Sequence, residues 1–81
     1  MSNVVDEVVH AAEDHLGFAA RRYLERQARL HMDKELDDLG VNDLDDLAKW
    51  VNNTGALVAS PEAVEELRQD ILKIQEEHQH D

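Results

Sequence analysis

Val5, Val9, Ala12, Leu16, Ala19, Tyr23, Arg26 and Leu30 are separated alternately by four and three residues, and no other feature limits so strongly what this chain can fold into. Positions recurring at that spacing lie along one stripe of an α-helix, the seam on which helices pack against one another. Arg26 is the one misfit in the stripe. No proline interrupts before Pro61. Ser2 or Asn3 can cap the start, and Asp6 and Glu7 suit the positive end of the helix dipole. The pattern extends to Leu39, with Gly40 as a left-handed terminator, and predicts a helix over 3–39 about 50 Å long. Gly17 costs about 1 kcal/mol relative to alanine inside it. One long helix is the expectation, with a kink or break at Gly17–Phe18 as the alternative.

Two shorter helices follow. Asn42 as N-cap, with Asp43, Asp45 and Asp46 in the first turn, opens a helix over 43–53 that places Leu44, Leu47, Trp50 and Val51 on one face. Asn52-Asn53-Thr54-Gly55 stops it, and Ala56–Ala59 reads as an apolar linker lying against the core. Ser60-Pro61-Glu62 starts a third helix over 61–77, with Val64, Leu67, Ile71 and Ile74 as a second seam. Residues 78–81 read as a disordered tail. Nothing reads as a strand. The expected fold class is all-α, a small helical bundle of one long helix and two shorter helices in a single domain over 1–77. Three helices of such unequal length leave the long seam uncovered, so homodimerisation along the alanine-rich face, Ala11, Ala12, Ala19 and Ala20, is expected to complete the bundle.

Composition narrows the function classes. A chain of 81 residues buries only about 60–65% of its unfolded surface and leans on a helper such as self-association. It has no cysteine, which removes disulfides, thiol catalysis and cysteine-based metal sites. Nineteen Asp and Glu give a formal net charge of −11 while 42% of residues are hydrophobic, the balance of a folded chain with an acidic surface. Abundant Asp beside only Lys34, Lys49 and Lys73 is similar in composition to proteins of extreme halophiles, so the fold is expected to weaken when salt no longer screens acid–acid repulsion. The apolar runs are too short to span a membrane, and MSNVVDEVV lacks the basic and apolar regions of a signal peptide, so a cytoplasmic location is expected.

Few groupings suggest chemistry. His10 shares a helix face with Asp6 and Asp14, an arrangement more common on a solvated acidic face than at a metal. His15 and His31 have no comparable partners, and His78 and His80 fall on the tail. The run from Asp37 to Asp46 fails the calcium-loop template, since counting from Gly40 puts Leu39 at the fifth ligand position. Leu39-Gly40-Val41-Asn42-Asp43-Leu44, with Val5-Asp6-Glu7 and Leu16-Gly17 before it, resembles the helix starts of acyl and peptidyl carrier proteins. That resemblance implies a phosphopantetheine on a serine, but Asp43 stands in the serine's place, and the stretch reads as a capped acidic helix start. No cofactor, metal or catalytic residue is expected.

Arg21, Arg22, Arg26 and Arg29 remain. Four of the chain's eight basic residues lie in the stretch RRYLERQAR. Arg22, Arg26 and Arg29 form a helical stripe suited to phosphate contacts, but the acidic remainder of the chain repels nucleic acid. Pairing with the acids of 37–46 and of the third helix is the stronger reading, with Arg26 as a polar seam residue that sets register. The expectation is a non-catalytic acidic interaction or adaptor protein acting as a homodimer toward an unidentified protein partner. A small regulatory protein that contacts nucleic acid through the arginine stripe is the alternative.

Overall fold

The computed structural model describes residues 3–79. Helix α1, Val4–Leu16, begins where the Asn3 side chain accepts a hydrogen bond from the Val5 N–H at 2.9 Å. One 3₁₀ turn, Gly17–Ala19, connects it to α2, Ala20–Met32. Together they make a helical run of 29 residues, bent where Gly17 adopts φ 64° and ψ −140°. A straight helix of that length would extend about 43 Å, whereas the longest dimension of the Cα trace is 33 Å. The bend folds α2 back into the bundle.

Helix α2 stops at Met32, short of the predicted Leu39. Asp33 takes the left-handed conformation, φ 55° and ψ 40°, and the N–H groups of Asp33 and Lys34 both close onto the Ala28 carbonyl. Aspartate is one of the few non-glycine residues that visit this region routinely. Leu36 and Leu39, which continued the seam in sequence, are buried from a different geometry, a 3₁₀ turn over Leu36–Asp38 and the strand-like backbone after it. Gly40 terminates nothing. It precedes a second 3₁₀ turn, Val41–Asp43, and its N–H donates to Asp43 Oδ2 at 2.9 Å. Asp43, not Asn42, therefore closes the start of α3, Leu44–Thr54. A further 3₁₀ turn, Gly55–Leu57, leads to α4, Pro61–Gln79, whose Ser60 hydroxyl accepts from the Ala63 N–H. His78 and Gln79 lie inside α4 rather than on a tail; His80 and Asp81 fall outside the described residues.

The result is an all-α bundle with no strand among the described residues. Helix α4 packs against α1 and α3, and α2 packs against α1 and α3. One core joins Val5, Val8, Val9 and Ala12 of α1, Ala20, Tyr23, Leu24 and Ala28 of α2, Leu44, Leu47, Ala48 and Val51 of α3, and Val64, Leu67 and Ile71 of α4. Burying such side chains contributes about 1.5–3 kcal/mol for each large aliphatic group. The alanines Ala12, Ala20 and Ala28 are fully buried and let neighbouring backbones approach.

This packing redistributes the predicted seam. Val5, Val9, Ala12 and Tyr23 are covered by the chain's own helices, Leu16 is half-buried, and Ala19, Arg26 and Leu30 face solvent. A seam continuous in sequence becomes two faces because the bend at Gly17 changes which side of α2 meets the core. Trp50 is only half-buried, and Ala48 fills the core position beside Leu47 and Val51.

Candidate interaction surface

The outward side of α2 carries all four arginines of RRYLERQAR, and all four are exposed. Arg21 pairs with Asp37 at 3.0 Å and Arg29 with Glu35 at 3.3 Å, both across the turn that follows α2. Arg22 and Arg26 have no ion pair among the described residues. Arg26 is exposed on the single chain and has no ion pair there among the described residues. Three acids of α4 are engaged elsewhere: Glu65 pairs with Arg68, whose guanidinium lowers the Glu65 pKa, while Glu66 and Asp70 flank His15. Exposed pairs of this kind contribute little to stability, so their value here is to show which cations remain unspent.

Beside Arg26 runs a groove of about 310 Å³ between α2 and the connection from α3 to α4. Tyr23, Arg26, Gln27, Leu30 and His31 form one wall, and Thr54, Leu57 and Val58 the other. Leu30 is 68% exposed and Leu57 88%. The linker Ala56–Ala59 was expected against the core, yet only Ala59 is partly covered. Gly55 is instead the buried residue of the turn, so close to Val64 that a Cβ would lie 2.6 Å from a Val64 methyl. Holding Gly55 there tightens the turn, with the N–H groups of Val58 and Ala59 both bonded to the Gly55 carbonyl, and turns Leu57 and Val58 outward.

The walls are tied together. Thr54 Oγ1 donates to the Trp50 carbonyl at 2.8 Å, so its single proton is committed and the Tyr23 hydroxyl donates to Thr54 Oγ1 at 2.6 Å. Burial pushes the Tyr23 phenol above its ordinary pKa. The His31 ring stacks on Trp50 at 4.0 Å, tilted by 10°. Gln27, only 3% exposed, leaves its Oε1 without a hydrogen-bond partner among the described residues, and an unpaired buried acceptor carries a desolvation penalty of about 1–3 kcal/mol. A second depression, of about 420 Å³, lies along Arg22, Glu25, Arg26, Arg29 and Leu30 and shares Arg26 and Leu30 with the groove. Apolar and cationic surfaces therefore adjoin along one helix.

Among the other sequence candidates, His15 and His78 make contacts between α1 and α4. His10 borders a shallow surface with Asp6 and Asp14, and no group of three or more His, Asp or Glu among the described residues is placed to hold a metal ion. His15 sits 3.1 Å from Asp70 and 3.6 Å from Glu66, joining α1 to α4. His78 contacts Glu7 at the other end of the same helix pair. Periodicity could not reveal these pairs, since their members are more than fifty residues apart in sequence. In the acidic run, the Gly40 N–H and the Lys34 ammonium hold Asp43 below the usual carboxylate range, and Gln75 bonds Asp45 and the Val41 carbonyl. No helix is long and apolar enough to cross a membrane among the described residues. Comparison with protein-family models, curated proteins and solved structures gives no match.

Proposed function

We propose that this protein is a non-catalytic interaction module that engages another protein through the outward side of α2. The observation that carries this reading is the exposed apolar patch of Leu30, Leu57 and Val58 beside two cations, Arg22 and Arg26, that have no ion pair among the described residues. Contiguous exposed apolar surface rimmed by polar groups is characteristic of interaction sites, and arginine and aromatic residues supply most of the binding energy at such sites. The homodimer expected from sequence was motivated by an uncovered seam, and much of that seam is filled within the chain. Two copies meeting about a two-fold on the α2 stripe would bring three arginines and one glutamate of each against the same set. A different, acidic partner suits the face better.

A photo-crosslinking amino acid at position 57 tests the proposal in cytosol of the source organism. Discrete protein adducts from position 57, absent from the exposed position 13 of α1 and lost on Arg26→Glu, support it. Equal labelling from both positions contradicts it. Light scattering separates self-association, since a dimer abolished by Leu57→Asp would place a second copy on the same face. The unpaired arginines also favour a second reading, contact with nucleic acid. Titration of duplex DNA would then give an affinity falling steeply with salt. The aliphatic groove supports the protein reading over this one, because single-stranded nucleic acid is held on stacking aromatics and duplex by phosphate contacts that leave Leu57 and Val58 unused.

A further inference from the structure

We infer that the groove between α2 and the Gly55–Leu57 turn receives an amphipathic helix whose apolar ridge is flanked by carboxylates. This rests on the proposed interaction role and names the chemistry of the occupant. Three observations select it. The groove and its neighbouring depression share Arg26 and Leu30, so one elongated occupant covers both, with apolar side chains against Leu30, Leu57 and Val58 and charge over Arg22 and Arg26. Those two arginines have no ion pair among the described residues, in a chain of net charge −11. An incoming carboxylate meets a planar guanidinium fork that needs no internal pair to be broken first. The Gln27 side chain lines the groove and makes no hydrogen bond among the described residues; its Oε1 is buried and unpaired, and a carboxamide can be turned to offer either its acceptor or its donor. An occupant bringing a donor or an acceptor satisfies it.

Helical occupancy suits a groove whose exposed apolar side chains are Leu30, Leu57 and Val58. Apolar groups at three- and four-residue spacing form a continuous ridge, and laying that ridge in a groove is a common mode of peptide recognition. A basic ridge would meet Arg22 and Arg26 as like charges, and juxtaposed like charges suppress wrong partners.

The test uses three synthetic amphipathic peptides with the same leucine ridge, flanked by glutamate, glutamine or lysine. Each is titrated into the ¹⁵N-labelled protein at the lowest salt at which circular dichroism shows the fold intact. The expected result is chemical-shift change confined to residues 22–31, 54–58 and the Trp50 indole that stacks on His31, with the glutamate peptide binding tightest. Arg26→Gln should weaken that peptide about tenfold, the loss of one charge-assisted contact, and Leu57→Asp should abolish binding without altering the helical spectrum. Equal or tighter binding of the glutamine or lysine peptide in the groove overturns the acidic specificity while leaving the interaction face standing. Shifts located on α1 or α4, or no shifts with any peptide up to millimolar concentration, overturn the site itself.

Discussion

Replacing Gly17 with alanine sets two effects of opposite sign against each other. In a helix continuous through residue 17, alanine would be stabilising by about 1 kcal/mol, since glycine is the poorer helix former. In the bent arrangement, residue 17 holds φ 64° and ψ −140°, a conformation that a Cβ disfavours by about 1–3 kcal/mol. Alanine also narrows the unfolded ensemble, which offsets the strain by about 0.4–1 kcal/mol. A Cβ at Gly17 meets no atom of the described residues within 4 Å, so no packing effect obscures the comparison. The net expectation is destabilisation of about 1–2 kcal/mol, and a domain of this size loses roughly 4–8 °C in Tm per kcal/mol. Thermal and urea melts followed by circular dichroism read the difference. A Tm equal to or above that of the parent would refute the bend and restore a straight helix.

Other perturbations follow from local geometry. Gly55→Ala places a methyl against Val64 with no backbone strain to relieve, since φ at Gly55 is −62°; overpacking should cost about 1–3 kcal/mol. The same change in a Val64→Ala background should cost little, giving a coupling above about 1 kcal/mol in a double-mutant cycle. Tyr23 is the chain's one tyrosine, so ultraviolet absorbance reports its ionisation alone. Its folded pKa is raised, so its contribution is intact below the ordinary value near 10 and is lost as pH rises through the folded value; Tyr23→Phe should cost about 1 kcal/mol and remove that alkaline loss. Asp43 has a lowered folded pKa, so its contribution is present above the ordinary value of 3.8 and disappears as pH falls through the folded one. Asp43→Ala should cost about 1 kcal/mol at neutral pH, with the gap to the parent closing in acid denaturation profiles.

Helical periodicity was readable wherever local chemistry decided the outcome. Asn3 caps α1 and Ser60-Pro61 opens α4, as side-chain capping and fixed proline geometry require, and Leu44, Leu47, Val51, Val64, Leu67 and Ile71 all turn inward. The end of α2 was hidden because Asp33, with no glycine beside it, adopts the left-handed turn, while Leu36 and Leu39 continued the seam spacing and are buried for another reason. The arginine stripe was visible as a motif. Its partners were visible in part: Asp37, from the acidic run 37–46, pairs with Arg21, whereas Glu35 reaches Arg29 and no acid of α4 pairs with this stripe because of how the chain folds after Met32. The groove was the least visible feature of all. Hydrophobicity places Leu57 and Val58 inside, and only the contact between Gly55 and Val64 explains why they are turned out.

The docking face is tested most directly by a charge swap. The affinities of the glutamate-flanked and lysine-flanked peptides are measured for the parent and for Arg22→Glu/Arg26→Glu, both substitutions lying on the exposed side of α2. A face whose specificity resides in these two arginines gives a reversed preference, the parent favouring the glutamate peptide and the variant the lysine peptide. The same preference in both proteins, or none in either, would contradict it.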